Sequence, residues 1–412
     1  MKLLTKNFSL YKNKYPVFID NRKRKIVYLY GKFKLLDEKT KSFIKNNDTK
    51  INYKIFDEEN PIVTFILTRD CNMRCRYCSV HAGEHKEKIS FETIKTALDH
   101  IYKNKPKKAH IIFFGGEPTL EMDLIRKTVK YAESFKIPTR FAISTNGLTN
   151  DNVVKYLAKK RFIINLSVDG IPEFQDSLRP SYNGGPTSNV IEKTIKELVK
   201  HKATFKTRST VVNKSVNSML DAMIYFNKLG VTHVHFEPLN ICGRADNKNL
   251  KMPPLKTFLE NYKKCINYAA KHKMKIVNGV YDNLFSPSYD YCDAATGQKL
   301  VITPDGLITR CYEIQDDQDK KTKVYIVGKI QNNKILFDKD KVKEMNKVLK
   351  LVRKSCQNCF AKYLCSSGCT IRTYRHIIDK RFSLDYRCNL AKEIIADAIL
   401  RLWKEQGEKI QD

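Results

Sequence analysis

The chain has 412 residues, 42% of them hydrophobic and 10% aromatic, enough apolar content for two or three packed units and too much for a chain disordered throughout. Lys and Arg outnumber Asp and Glu by 76 to 44, a formal net charge of +32; that balance favours an acidic peptide or a nucleic acid and fits equally a Lys-rich composition that names no partner. The first twenty residues hold no apolar run of signal-peptide length, and no uncharged apolar run near twenty residues occurs, so a soluble, cytoplasmic protein without a membrane segment is expected.

Residues 1–58 read as a small N-terminal α+β unit. Two β-rich runs, 15–20 and 25–30, flank the polar turn Asn21-Arg22-Lys23-Arg24 as a hairpin, and 36–46 follows as a short helix with Asp37 as N-cap. The first fifty residues hold fourteen basic and four acidic side chains. From Pro61 the pattern becomes short apolar strands, 62–68, 109–114, 140–145, 162–168, 205–212 and 232–238. Between them lie helical stretches near 90–103, 119–135, 150–160, 188–201 and 215–228, with another at 255–272. Strict alternation implies a parallel sheet over 59–277, open or closed into a partial barrel. In either form chemistry gathers at the carboxyl ends of the strands. Beyond 278 the alternation stops. Residues 278–412 are loop-rich, with a hairpin signal at Thr303-Pro304-Asp305-Gly306 and a closing helix near 390–405.

Twelve cysteines without a secretion signal point to metal binding or catalysis rather than disulfides. Cys71, Cys75 and Cys78 follow the first barrel strand at C-x3-C-x2-C spacing. Three thiols on one loop suit a single compact inorganic centre. A [4Fe–4S] cube takes four ligands, so three leave one iron open to a small molecule. Zinc fits less well, because its tetrahedral sites favour paired C-x2-C units.

This spacing, with the aromatic Tyr77 ahead of the third cysteine, resembles the signature of the radical S-adenosylmethionine (radical SAM) enzymes. Further segments extend the resemblance. Gly115-Gly116-Glu117-Pro118 ends the second strand, Ser144-Thr145-Asn146-Gly147 the third and Ser167-Val168-Asp169-Gly170 the fourth, and Arg179 follows in Leu178-Arg179-Pro180. The resemblance implies a partial (β/α)6 TIM-like barrel and a [4Fe–4S] cluster on Cys71, Cys75 and Cys78 that binds SAM. It also implies SAM contacts from Tyr77, Gly115, Gly116, Glu117, Ser144, Asn146, Ser167 and Arg179. Glu117 would receive the SAM amino group, Arg179 the carboxylate, and the glycines would let backbone come close to the ligand. Reductive SAM cleavage would then yield a 5′-deoxyadenosyl radical that takes a hydrogen atom from substrate.

Seven later cysteines, Cys292-x13-Gly306-x4-Cys311, then Cys356-x2-Cys359-x5-Cys365-x3-Cys369, then Cys388, resemble the SPASM extension of a subset of these enzymes; a pair of zinc ribbons is the weaker reading. The resemblance implies a loop-rich iron–sulfur domain with two auxiliary [4Fe–4S] clusters. Cys356, Cys359, Cys365 and Cys388 would hold one, and Cys292, Cys311 and Cys369 the other, with one position open or filled by a non-cysteine ligand. Cys242 and Cys265 are spare thiols in ordinary context.

SPASM enzymes include maturases of ribosomally made peptides and sulfatase-maturing enzymes. The sulfatase subfamily places an Asp base where this chain has Tyr312, and an extra cysteine upstream of the Cys292 position that this chain lacks. The N-terminal hairpin and helix resemble a truncated leader-peptide recognition element, which binds by strand addition. The expected function is therefore a radical SAM/SPASM peptide maturase of ribosomal-peptide biosynthesis, forming a thioether or carbon–carbon cross-link by net oxidation and drawing electrons from a flavodoxin or ferredoxin. Tyr312, Glu313 and Asp293 are candidate catalytic residues by position. An anaerobic sulfatase-maturing enzyme is one alternative. An RNA-modifying radical SAM enzyme is the other, with no recognisable RNA-binding module to support it.

Overall fold

The computed structural model describes residues 2–5, 8–10, 18–20 and 25–27, then 57–247, 250–279, 292, 299–316, 322–356, 359, 361–366, 368–378 and 385–407. The chain divides into two compact units. One comprises Lys54–Val277 and Thr296–Val342, the other Met1–Tyr53, Asn278–Ala295 and Lys343–Asp412.

At the N-terminus, β1 (Lys2–Thr5), β2 (Phe8–Leu10), β3 (Phe18–Asp20) and β4 (Lys25–Val27) pair in chain order as an antiparallel sheet. The expected hairpin is β3–β4, with Phe18 opposite Val27. The first two strands go beyond that expectation, being too short for alternation to show. The helix expected over 36–46 lies outside the described residues.

The barrel strands are β5 (Ile62–Ile66), β6 (Ala109–Phe114), β7 (Thr139–Thr145), β8 (Ile163–Ser167), β9 (Thr204–Val211) and β10 (His233–Pro238). Each pairs in parallel with the next, beginning with Val63 beside Ile111. The helices are α1 (Phe91–Tyr102), α2 (Met122–Ser134), α3 (Asp151–Lys159), α4 (Pro172–Leu178), α5 (Ser188–Lys200), α6 (Met219–Lys228), the single turn α7 (Arg244–Asn247) and α8 (Leu255–Lys271). Caps fix where two of them begin: Ser90 Oγ accepts from Thr93 N at 3.0 Å and Asn150 Oδ1 from Val153 N at 3.2 Å, each worth about 1 kcal/mol. Burial alternates along β6, β8 and β10. Ile164 and Leu166 of β8, and Val234 and Phe236 of β10, are fully packed, whereas Asn165, Ser167, His235 and Glu237 are half-buried. The first set is the face the helices cover, and the second is the more polar face. Cys265 lies fully buried on α8, an ordinary core thiol.

The sheet continues past the six strands. β11 (Lys275–Ile276) adds to β10, and β12 (Lys299–Ile302) adds in parallel to the other edge, with Leu300 beside Val63. β13 (Leu307–Thr309), β14 (Ile326–Gln331) and β15 (Lys334–Phe337) follow as antiparallel neighbours, β12–β13 being the hairpin expected at 303–306. The domain boundary therefore differs from a single break at 278: residues 296–342 extend the barrel sheet and cluster with it. The remaining helices are α9 (Lys339–Ser355), α10 (Thr370–Ile378) and α11 (Asp385–Gly407). Among the described residues no helix is long and apolar enough to cross a membrane.

Candidate active site at the mouth of the barrel

The loop after β5 is pinned along its whole length by backbone hydrogen bonds. Leu67 N donates to Phe114 O (2.8 Å), Gly116 N to Thr68 O (2.8 Å), Glu117 N to Asp70 O (2.9 Å), Arg74 N to Pro180 O (2.8 Å), Arg76 N to Leu178 O (2.9 Å) and Tyr182 N to Asn72 O (2.9 Å). Carbonyls that such a winding loop would leave unsatisfied go to two arginines. Arg74 donates to Cys71 O (2.6 Å), Met73 O (3.0 Å) and Gly83 O (2.9 Å). Arg244 of α7, itself buried, donates to Cys75 O (3.3 Å) and Ala82 O and pairs with Glu84 at 3.0 Å.

The two glycines expected to admit ligand are used first to admit this loop. A Cβ on Gly116 would stand 2.0 Å from Asp70 O, and one on Gly115, whose φ is +150°, would stand 2.5 Å from Thr68 O. The backbone they bring close is that of the cysteine loop.

Every thiol of the loop faces an N–H donor. Met73 N and Asn146 Nδ2 reach Cys71 Sγ at 3.4 and 3.7 Å, Arg179 Nη1 reaches Cys75 Sγ at 3.9 Å, and Ala82 N reaches Cys78 Sγ at 3.4 Å. Burial pushes Cys71 up to about 12, with the charge of Glu117 adding to it, and Cys75 up to about 11 against the pull of Arg179. As free thiols they stay protonated. As thiolates they need a positive centre between them, and the donors already stand where the sulfur charge would develop. Among the described residues no three His, Cys, Asp or Glu side chains are spaced for a single metal ion. Thiols on the corners of a cube-shaped cluster stand farther apart than ligands of one ion.

Glu117 is fully enclosed. Its Oε1 accepts from Thr119 N (3.0 Å), Thr119 Oγ1 (2.7 Å) and Thr145 Oγ1 (2.7 Å), and its Oε2 from Asn146 N (2.7 Å). Burial raises its pKa while the Asn146 and Thr119 donors pull it back. The carboxylate thus ties the end of β6 to the end of β7, and only Oε2 keeps acceptor capacity to spare. Asn146 donates to Asn72 Oδ1 at 2.8 Å and accepts from Leu148 N at 2.8 Å, locking the β7 exit to the cysteine loop. Ser144 and Ser167 stand half-buried near the ends of β7 and β8.

Tyr77 and Arg179 meet in a buried unit around Asp169. The Tyr77 hydroxyl donates to Asp169 Oδ2, Arg179 Nε forms an ion pair with the same oxygen at 3.1 Å, and Arg179 Cζ lies 5.1 Å over the Tyr77 ring. Burial opposes the guanidinium charge, but the Asp169 carboxylate beside it outweighs that and holds Arg179 protonated. Its Nε, shielded from solvent, lacks a well-aligned hydrogen bond, so the buried cation is paired by charge rather than saturated. Such a group suits an anionic ligand. Asp169 belongs to a strand-end motif that by itself suggests no role for it; nothing in spacing alone says that its carboxylate clamps two other site residues.

Tyr312 packs its ring at a 36° tilt against Phe114 at the end of β6, with ring centroids 4.8 Å apart, and Lys299 Nζ sits 5.0 Å over its ring. Glu313 N donates to Cys311 Sγ at 3.5 Å. Arg69 ties this turn to the cysteine loop, donating to Gln315 O (2.5 Å) and Asp305 Oδ1 (2.9 Å). Asp293 lies outside the described residues. On β9 and β10, Arg208 pairs in register with His235, and Thr210 with Glu237; the His235 ring meets Val277 O (2.8 Å) and Glu237 Oε2 (3.3 Å). Alternation of this strand could have singled out His235 and Glu237, since with His233 they make up the polar side of an alternating run.

Of the seven later cysteines, four come together within one unit. Cys359 N donates to Cys356 O at 3.0 Å. Cys365, pushed up to about 12 chiefly by burial, also feels Cys388, Cys359 and Cys356, and Cys388 likewise feels Cys356 and Cys359. Cys311 belongs to the barrel unit, Cys292 and Cys369 to the other.

A parallel half-barrel with three thiols at its mouth is the arrangement of a radical SAM domain, and residues 65–236 match the Radical SAM superfamily. The chain carries a radical SAM domain, the unit of enzymes that cleave SAM reductively. It is 24% identical over 360 residues to the cysteine-type anaerobic sulfatase-maturating enzyme of Clostridium perfringens, covering 81% of this chain and 94% of that one. It is also 24% identical over 334 residues to the serine-type enzyme of Klebsiella aerogenes, covering 76% and 81%. In fold it is similar to native anSMEcpe with bound AdoMet and Cp18Cys peptide, with a TM-score of 0.69, 20% identity and coverage of 85% and 99%. A more distant likeness is to Streptococcus suis SuiB bound to precursor peptide SuiA, with a TM-score of 0.50, 15% identity and coverage of 70% and 68%.

Proposed function

We propose that this enzyme matures a peptide or protein, oxidatively modifying a ribosomally made chain. The observation that carries the reading is the nearly full-length similarity to enzymes named as sulfatase-maturating, extending well past the radical SAM domain. Fold likeness to chains solved with a peptide bound supports it.

The donor set fits the group the reading requires: three thiols, each met by an N–H, beside a buried arginine whose Nε is paired with Asp169 by charge without an aligned hydrogen bond. Cys71, Cys75 and Cys78 would hold a [4Fe–4S] cluster and Arg179 the SAM carboxylate, with Oε2 of Glu117 as acceptor for the amino group. Bound there, cluster and SAM supply a 5′-deoxyadenosyl radical able to take a hydrogen atom from a peptide. The chain's own part is positional. Arg74 and Arg244 hold the loop carbonyls so that the thiols keep one geometry, Asn146 and Met73 N present donors to Cys71, and the apolar Phe114 and Met73 side chains limit water at the mouth. The seven later cysteines would hold two auxiliary clusters that receive the electron left by substrate oxidation, and the N-terminal sheet would bind a leader by strand addition. A flavodoxin or ferredoxin is the proposed electron donor.

The test is anaerobic incubation with SAM, reductant and the peptide encoded by a short reading frame beside the gene. A mass loss of about two hydrogens with matching 5′-deoxyadenosine is expected. Peptide that leaves SAM turnover unstimulated would sink the reading. Removing residues 1–55 should weaken peptide binding while SAM cleavage persists; unchanged affinity would remove the leader-binding role. A second reading, sulfatase maturation, is favoured by the names of the relatives and weakened by Tyr312 at the position of that subfamily's Asp base. Conversion of a sulfatase-derived cysteine peptide would establish it instead.

A further inference from the structure

We propose that Asp169 is the positioning residue of the SAM site, holding Arg179 and Tyr77 as one prearranged unit beside Cys75. The proposal rests on the reading that Cys71, Cys75 and Cys78 carry the cluster.

Asp169 has no exposed side-chain surface, and both of its carboxylate oxygens are used. Oδ2 takes the Tyr77 hydroxyl and faces Arg179 Nε at 3.1 Å, while Oδ1 accepts from Thr210 N at 2.9 Å. Its backbone N donates to Gln175 Oε1 at 3.0 Å. Gln175 Nε2 then donates to Thr187 Oγ1 at 3.0 Å, and Thr187 Oγ1 donates to Arg179 O at 2.9 Å. The chain of contacts closes on itself. Asp169 holds the side chain of Arg179 directly and its carbonyl through Gln175 and Thr187, and Arg179 N donates to Gln175 O at 2.8 Å.

A long guanidinium is thereby fixed at both ends before any ligand arrives, with Nη1 3.9 Å from Cys75 Sγ. Two consequences follow. Ordering that a flexible arginine would undergo on binding SAM is already done, so affinity is higher than the same residue would give unheld. The Asp169 charge balances Arg179, so the cation does not act at full strength on the cysteine thiolates, and the cluster's potential stays lower than it would beside an unbalanced arginine. A buried carboxylate that merely stabilised the fold would need neither the shared oxygen nor the closed ring.

The experiment compares reconstituted holoenzymes of wild type, Asp169→Asn and Thr187→Val. Iron and sulfide content, SAM affinity, the EPR change of the reduced cluster on adding SAM, and the cluster's midpoint potential are read for each. Asp169→Asn should load iron as wild type, bind SAM about tenfold more weakly, the loss expected for a misdirected charge-assisted contact, and shift its potential positive. Thr187→Val, which keeps shape and charge, should weaken SAM binding severalfold with the potential unmoved, and decides the matter if Asp169→Asn does not fold. Loaded variants with wild-type SAM affinity and EPR response would overturn the role of Asp169. Wild-type protein that assembles no [4Fe–4S] signature would overturn the cluster reading itself, a distinct result.

Discussion

The two cysteine-bearing regions of this chain are built on opposite plans. Around Cys71, Cys75 and Cys78 the scaffold does the organising: six backbone hydrogen bonds, two arginines on loop carbonyls and a glycine pair at backbone contact distance hold the loop. Around Cys356, Cys359, Cys365 and Cys388 the described residues show short local turns, among them the helical turn Lys362–Ser366, a helix start and thiols that repel one another as thiolates. If these thiols hold the proposed auxiliary cluster, that region gains its order from the metal, because metal binding and local folding are then one equilibrium. The first region should survive loss of its cluster with its loop in place; the second should not.

The comparison can be broken most sharply at the ligands. Cys75→Ala should reduce 5′-deoxyadenosine formation to background while the unfolding temperature changes little, since the scaffold remains; a collapse in stability would show that the cluster, not the loop contacts, orders the barrel mouth. Next in size, Cys388→Ser should lower iron by about four per chain, leave SAM cleavage measurable and remove peptide product. It should also increase proteolysis confined to residues 343–412. If SAM cleavage falls with it, the two regions are not independent.

Gly116→Ala is an intermediate case. The new Cβ would meet Asp70 O at 2.0 Å, backbone against backbone, so the loop or β6 must move at a cost of roughly 1–3 kcal/mol. Thermal unfolding and iron retention should fall together. A stable, fully loaded variant would mean that the loop position is set elsewhere, with Arg74 the next residue to examine.

The same contrast separates what a linear sequence encodes from what only the folded chain brings about. The barrel is legible in the sequence because its strands and helices carry strong, regular periods: the run 109–114 is a strand to the residue, and α1, α3 and α5 lie within one or two residues of their expected bounds. The cysteine clusters are legible because thiol spacing is local. What spacing does not encode is who holds whom. Arg244 is 166 positions from Cys78, yet its N–H meets Cys78 O at 3.0 Å, and Asp169 is 92 positions from Tyr77. Such pairs depend on strand register and exit-loop path, which the pattern along one segment does not determine. The helix α9 escapes notice for a different reason: Val342, Met345, Val348, Leu349 and Val352 form a buried stripe at helical spacing, legible in principle but diluted by seven lysines and arginines across 339–355.

The smallest expected effect concerns Tyr312, one of the three residues singled out by position as a base. Its ring is held on Phe114 at 4.8 Å and under the Lys299 ammonium at 5.0 Å, contacts that belong to the ring face rather than the hydroxyl. Tyr312→Phe keeps both, so SAM cleavage and peptide conversion should stay within about twofold of wild type, whereas Tyr312→Ala, which removes the ring, should cost roughly 1 kcal/mol or more of local packing and disturb peptide conversion first. A large loss with phenylalanine and no further loss with alanine would reverse the assignment and make the phenol itself the proton acceptor. Carrying out both substitutions under one peptide assay separates a residue that shapes the mouth of the barrel from one that takes part in the chemistry there.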